Sequence, residues 1–271
     1  MQCDRCGGED FTKAGQDRQA RQLYRCRACK RRLTARSSSA FSGYRFPDDS
    51  IALAVRWYLR FRLPYADLAE LLAERGVHAD PSTVFDWIQK FMPLYQAAAS
   101  PHRRRVGQRW SIDETYIRIA GQWCYTFRAI DEDGQVIDVY VSSTRDTATA
   151  TAFLTQAVES TEVTPALATT DRAAIYPPAL AAVLPEVTHI RGKLVQQRIE
   201  RDHQHLKGRT KSMRGFQTLP CAQVICAGHG FMRNLRNGFY DVGSTVDDAT
   251  LPAAPCLVRA WDDLTLILSA A

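Results

Sequence analysis

The chain has no apolar run long enough to span a bilayer, and nothing at its start resembles a secretion signal. A membrane-spanning or exported protein is therefore not expected, and a cytoplasmic location is the default. No heptad pattern marks a coiled coil. The eight cysteines do not form a disulfide framework: four sit in two tight pairs near the N-terminus. The other four, Cys124, Cys221, Cys226 and Cys256, are scattered and read as buried free thiols. Acidic residues are sparse early on, with 11 Lys and Arg against 4 Asp and Glu from Met1 to Phe46, a surplus larger than the net charge of +6 of the whole chain. Residues 101–107 and 189–214 are also basic, while the tail from Asp241 is acidic. Basic blocks of this kind suit a polyanionic partner, although a solvated charged surface is the plainer reading. What is present in ordinary amount is apolar residue, 45% of 271 residues, enough for a sizeable core in two or three domains.

Cys3-Asp4-Arg5-Cys6 and Cys26-Arg27-Ala28-Cys29 are two CxxC knuckles. Four thiolates at this spacing match a tetrahedral structural zinc site. So short a segment cannot bury enough apolar area to fold alone, so metal binding would supply its folding free energy. Gly7 and Gly8 permit the tight turn after the first knuckle. A redox role is disfavoured by the second pair and by the lack of a surrounding βαβ pattern. Arg31 and Arg32, among other cations around the second knuckle, could neutralise DNA phosphates; a protein-docking role is the competing reading.

Residues 36–40 read as a linker out of a ribbon over 1–36. A helical domain is expected over 45–100. Pro47 opens one helix, Leu68, Leu71 and Leu72 mark a second, and Gly76 suits its C′ position. Asp80-Pro81 is an N-cap and first-turn proline for a third helix carrying Val84, Trp87, Ile88 and Phe91. The pair from about Tyr65 to Phe91 reads as a helix-turn-helix. In a DNA-binding version Ser82, Thr83, Asp86, Gln89 and Lys90 face the major groove. An ordinary helical bundle would look similar. Trp57, Tyr58, Trp87 and Phe91 read as core.

From Trp110 the pattern becomes strand-like. Strands are expected over Trp110–Ile119, Gln122–Ile130 and Val136–Val141, with Asp133-Gly134 as a hairpin signal. A helix over Asp146–Val158, a strand over Ala166–Thr170, a helix from about Ala173 to Val183, a strand over Val187–Ile190 and a helix over Val195–Lys207 follow. This succession describes an α/β sheet of the ribonuclease-H-like kind over 105–240, followed by a C-terminal tail over 241–271. Leu264 to Leu268 would dock on the body or on a second subunit.

Glu200, His203 and Lys207 share a helix face at i, i+3 and i+7. A carboxylate, an imidazole and an ammonium there suit a divalent metal beside a phosphate. Asp113, in the first strand, and Asp171, just past the fourth, can join Glu200 at the strand ends. Three carboxylates from separate elements can hold two hard cations, Mg²⁺ or Mn²⁺, for phosphoryl transfer. Side chains alternate along a strand, so Asp113 and Glu114 are not expected both to face the site. The plainer readings are a turn role for Asp171, a surface ion pair for Glu200 and a carboxylate partner for His203.

Several linked motifs then point one way. They are Trp110-Ser111-Ile112-Asp113-Glu114-Thr115-Tyr116, Gly121-Gln122-Trp123, Arg128-Ala129-Ile130-Asp131, Thr170-Asp171 and Ile199-Glu200-Arg201-Asp202-His203 with Leu206-Lys207. With Arg214-Gly215-Phe216 and the upstream Ala54-Val55-Arg56-Trp57-Tyr58 and Ser82-Thr83-Val84, the chain resembles the DDE transposases of bacterial insertion sequences, the insertion sequence six family in particular. The resemblance runs from about Phe46 to Asn237. It implies Asp113, Asp171 and Glu200 as the metal-binding triad, choosing Asp113 over Glu114, and places His203 and Lys207 near the scissile phosphate or bound DNA end. It implies cleavage that exposes 3′-hydroxyls at the element ends, strand transfer into target DNA, and a cointegrate made by replicative transposition. Double-stranded DNA, both the terminal inverted repeats and the target, is then the partner. A homodimer or larger synaptic assembly and a nucleoid-associated place in a bacterial or archaeal cell also follow. The ribbon is an added module. Two departures are a connection of 28 residues between Asp171 and Glu200, and Gln196-Gln197 where a pair of asparagines is more typical. The alternatives are a catalytically inactive DNA-binding protein derived from a transposase and, less favoured, a general ribonuclease H.

Overall fold

Two cysteine knuckles and a three-stranded antiparallel sheet form the N-terminal part: β1 (Phe11–Gln16), β2 (Gln22–Cys26) and β3 (Arg32–Thr34). Its own core is only Cys3, Cys26 and Leu33, with Phe11, Tyr24 and Cys29 against them. The computed structural model describes residues 1–17, 21–34, 36–192, 197–210, 215–243 and 253–270; side chains at 197, 198, 200–202 and 253–255 lie outside that description. Among the described residues no helix is long and apolar enough to cross a membrane.

The stretch read as a linker is instead tied down. Arg36 donates to the carbonyls of Tyr44 and Phe46 and pairs with Asp48. Phe41 is buried and stacks on Phe91 with ring centroids 4.6 Å apart. An apolar ring had a place to go, and the flanking polar backbone follows it.

α1 (Asp48–Arg60), α2 (Tyr65–Ala73) and α3 (Pro81–Ala99) come next. α2 stops as its sequence predicts. Gly76 has φ +75°, its N–H donates to Ala73 O and that of Val77 to Leu72 O, which is a Schellman closure. Asp80 Oδ1 accepts from Ser82 N at 2.8 Å and starts α3. α3 runs on past Phe91 to Ala99, because Met92, Tyr95 and Ala99 continue its buried face. Tyr58, Trp87 and Phe91 are core, and Trp57 is partly buried.

A single 3₁₀ turn (Ser100–His102) leads into a five-stranded sheet. Its strands are β4 (Arg109–Ile119), β5 (Gln122–Ile130), β6 (Val136–Ser142), β7 (Leu167–Thr170) and β8 (Thr188–Arg191). The order is β6-β5-β4-β7-β8, antiparallel among the first three and parallel from β4 to β8. This is the ribonuclease-H-like arrangement expected from the sequence. α4 (Thr147–Thr161) and α5 (Tyr176–Val183) cover one face. α5 starts later than expected because 171–175 form a turn, in which Ala173 N–H donates to Asp171 Oδ1. α6 (Gln197–Thr210) and α7 (Leu219–Arg236) cover the other face; Val195, expected to begin α6, lies outside the described residues.

α7 joins the two halves of the molecule. Its Asn234 and Gln223 amides hydrogen-bond the backbone of β6 at Val136, Val139 and Val141. These bonds satisfy the open edge of the sheet. Its opposite side packs on α1 and α3, so one continuous core runs from the helical part into the sheet. The stretch read as a tail contributes α8 (Ala253–Ala270), packed on α1, α3 and α7. Trp261 stacks on Tyr95 and donates to Ala52 O, while Leu264 and Leu268 are buried against the body. Each such large apolar side chain stabilises by about 1.5–3 kcal/mol.

Candidate active site

β4 lies between β5 and β7. In the parallel pairing of β4 with β7, Ser111 stands opposite Thr169. Two residues further along each chain are Asp113 and Asp171. Backbone register therefore brings the two aspartates together where β7 ends. One carboxylate oxygen from each of Asp113, Glu114 and Asp171 lies within 4.8 Å of the others.

That trio corrects one expectation. Alternation does send Asp113 and Glu114 to opposite faces of β4: Asp113 pairs with Arg128 on the α7 side and Glu114 with Phe127 on the α4 side. Yet both carboxylates reach the cluster, because Asp171 sits past the end of β7, where no strand separates the faces. Glu114 is occupied there. The Arg145 guanidinium and the Tyr176 hydroxyl donate to its oxygens. Arg145 is also 3.7 Å from Asp171. Burial would lower the Arg145 pKa, but the Glu114 carboxylate and then Asp171 outweigh it, and the net shift is upward. Burial, followed by the Glu114 charge, pushes the Tyr176 phenol well above its ordinary value. Sequence reading missed Arg145 and Tyr176. Neither sits in a periodic pattern, and only the turn before α4 and the start of α5 bring them to β4.

Asp113 is 8% exposed. His203 Nδ1 is 3.6 Å from its Oδ2. His203 is itself 2% exposed, so it stands behind Asp113 instead of opening to a DNA surface. The physical reason is the inward stripe of α6, where Ile199, His203 and Leu206 are all buried. Lys207, expected on the same face, is exposed. Glu200 belongs to α6, which packs on β4 and β5, but its side chain lies outside the described residues. Gln196 and Arg214 also lie outside them. Behind Asp171, the Thr170 hydroxyl donates to Asp171 O and is 2.8 Å from His189 Nε2.

The four N-terminal thiols do converge. Cys3 and Cys29 sulfurs are 3.5 Å apart, those of Cys6 and Cys26 3.6 Å, and all four lie within 4.8 Å of one another. Four ligands at about 2.3 Å around a tetrahedral centre require separations of this order. The Arg5 backbone N–H lowers Cys3 to about 7. Cys6 is pushed up to about 12: the Gly8 N–H lowers it, but the crowded Cys29 and Cys26 sulfurs outweigh that. Thiols so close cannot all ionise without a cation among them. Of the two glycines, only Gly7 has a positive φ, +71°. Of the scattered cysteines, Cys124 and Cys226 are buried, whereas Cys221 and Cys256 are half-buried; all four are free thiols.

On α3, Ser82, Asp86 and Lys90 are exposed and Thr83 and Gln89 half-buried. The Lys90 ammonium lies 4.7 Å over the Tyr44 ring. Arg32 is exposed on β3, and Arg31 pairs with Asp4 at 2.8 Å, a surface pair that links the two knuckles.

Residues 107–239 match a family model described as a DDE domain. The chain is 37% identical over 179 residues to the transposase for insertion sequence-like element IS431mec of Staphylococcus aureus, covering 64% of this chain and 79% of that relative. It is 36% identical over the same span to the transposase for insertion sequence element IS257 in transposon Tn4003, also of Staphylococcus aureus, with the same coverage. Among solved structures, the HTLV-2 integrase catalytic core domain in complex with magnesium aligns with 59% of this chain and 87% of its own, at 15% identity and a TM-score of 0.32. The catalytic core domain of BIV integrase aligns with 51% and 88%, at 16% identity and a TM-score of 0.36. These last two alignments are too loose to add to what the strand order shows.

Proposed function

The chain belongs to the DDE transposases of the insertion sequence six type, and from that premise we propose that Asp113, Asp171 and Glu200 are the carboxylates with which it moves DNA strands. The enzyme is a polynucleotidyl transferase. The observation that carries the site reading is the meeting of the Asp113 and Asp171 carboxylates at neighbouring parallel strand ends, with the Glu200 helix packed on β4.

Hard oxygen donors clustered this way fit Mg²⁺ or Mn²⁺. Bound there, such ions would supply Lewis-acid activation of the phosphate and of the attacking oxygen. The protein's own groups prepare that place. His203 holds Asp113 from behind, the Ala173 N–H fixes Asp171 Oδ1, and Arg145 with Tyr176 keeps Glu114 engaged. In the first step a water oxygen attacks the phosphodiester at an element end and the 3′ oxygen leaves as a hydroxyl. In the second, that hydroxyl attacks a target phosphodiester. A new P–O bond forms as the target's own 3′ oxygen departs, without a covalent protein intermediate. The replicative, cointegrate-forming outcome is the mode we assign, by kinship with the insertion sequence six type.

The ribbon thiols Cys3, Cys6, Cys26 and Cys29 fit Zn²⁺, which would be structural because all four positions are protein sulfur. The outer side of α3, with Ser82 and Lys90 exposed and Thr83 and Gln89 half-buried, the cations Arg31 and Arg32, and Lys207 would contact the terminal repeats or target. Holding two ends requires a dimer or larger synaptic assembly.

The test is strand transfer of pre-cleaved element-end DNA in Mg²⁺ or Mn²⁺, comparing wild type with Asp113→Asn. Product is expected from the wild type only, with equal DNA binding by both. Binding without product from the wild type would support the alternative, a catalytically inactive DNA-binding protein.

A further inference from the structure

Beyond Glu114 the hairpin of β4 and β5 outruns its neighbours. β7 pairs with β4 only as far as Ser111, and β6 pairs with β5 only from Tyr125 on. One face of the projecting part is anchored, since Ile117, Ile119 and Cys124 are buried in the large apolar cluster. The other face continues from Glu114 and Phe127. Phe127 is still fully buried, against Phe153 of α4. Past it, Tyr116 stands opposite Tyr125 and Arg118 opposite Trp123. Tyr116 is 53% exposed and Trp123 61%. Their rings meet edge to face at 6.2 Å, Tyr116 meets Tyr125 at 5.1 Å, and the Arg118 guanidinium lies 5.2 Å from the centre of the Trp123 ring.

Exposed aromatic residues scattered singly are ordinary. These three are contiguous, touch one another and are backed by core. From Thr115 to Ile130 the sequence has no acidic residue. Aromatic rings beside a guanidinium, with no carboxylate among them, suit the π-faces of nucleobases and the charge of their phosphates. The same composition would suit a subunit contact. Position decides between them. Tyr116 follows Glu114 by two residues, or about 7 Å along β4, and Arg118 by about 14 Å. Nucleotides of one strand advance about 3.4 Å each along a duplex. A strand with a phosphate at the carboxylates therefore has its next few bases within reach of these rings.

We propose that Tyr116, Trp123 and Tyr125, with Arg118, form a stacking platform for unpaired bases of the element end, next to the bond that is cut. The proposal rests on the transposase reading. Trp123 supplies the most open ring, and Arg118 holds it from beside while adding a charge for the adjoining phosphate. Because every base has a π-face, such a platform does not read sequence. It favours an end whose last pairs have opened over one that is fully paired, and so lowers the cost of presenting a single strand to Asp113 and Asp171.

Two element-end duplexes test this with the full chain, one fully paired and one with its terminal pairs mismatched. Wild type is expected to bind the mismatched end more tightly, with quenching of Trp123 fluorescence. Of the five tryptophans Trp123 alone is exposed, so the quenching reports on it. Trp123→Ala is expected to weaken binding of the mismatched end about 5- to 150-fold, the equivalent of about 1–3 kcal/mol for one stacked base. Its slope of log K against log salt stays at the wild-type value, because no phosphate contact is removed. Trp123→Phe is expected to keep the affinity and lose the quenching. Equal binding of the two duplexes by wild type, or a Trp123→Ala protein that binds the mismatched end as wild type does, overturns the proposal. So does a drop of Trp123→Ala to a smaller assembly without DNA, since the face is then a subunit contact. If wild type makes strand-transfer product and only the preference for the mismatched end is missing, the transposase reading survives and the platform alone falls. If wild type binds neither duplex, both fall.

Discussion

At the residue scale, the two neighbouring acids on β4 are distinguished by their partners. Asp113 has His203 behind it, and Glu114 is held by Arg145 and Tyr176. Glu114→Gln is expected to retain strand transfer and to lose about 1.5–3 kcal/mol of stability, the worth of a hydrogen bond to a charged group. Urea midpoints and transfer assays check this together. A folded Glu114→Gln protein without product would make Glu114 the ligand and Asp113 the bystander. Chain order already named both acids, but periodicity could not separate them. Their assignment depends on Arg145 and Tyr176, which are 31 and 62 residues away in sequence. His203 shows the same limit. Helical spacing put it on a face with Lys207, but the burial of Ile199 and Leu206 turns it inward.

At the element scale, α7 is the part least visible in the sequence. Its Ala227-Gly228-His229-Gly230 stretch looks like poor helix, since each glycine costs about 1 kcal/mol against alanine. The close packing explains it. A Cβ at Gly228 would lie 2.9 Å from Leu59 Cδ2 and from Met92, both buried, and one at Gly230 would lie 3.0 Å from Val136. Overpacking costs about 1–3 kcal/mol. Gly228→Ala is therefore expected to destabilise by about 1 kcal/mol net, despite its better helix propensity. A rise in thermal midpoint would show that α7 is not packed so closely. The caps of α2 and α3, by contrast, were legible residue by residue, because Gly76 and Asp80 act on their own backbone.

At the scale of the whole molecule, the three buried clusters differ in character. The ribbon core is three buried residues, two of them cysteines, whereas the helical part and the sheet share one large apolar cluster through α7 and α8. A strong chelator is expected to unfold the ribbon and leave the sheet and helices folded. Hydrogen exchange read segment by segment, beside metal analysis, checks it. Purified protein with well under one equivalent of zinc, or collapse of protection in β4 and α7 on chelation, would contradict this division.

The sequence by itself determined what depends on local chemistry. The knuckle spacing, the helix caps, the strand and helix succession and the positions of Asp113 and Asp171 can all be read from it, because each is written in adjacent residues or in a period. The tertiary structure alone decided what depends on residues meeting from afar. It tied down residues 36–40, made a packed helix of the supposed tail, set His203 behind Asp113 and engaged Glu114 with a distant arginine and tyrosine. Burial and ion pairing are properties of the assembled chain, and no local pattern records them.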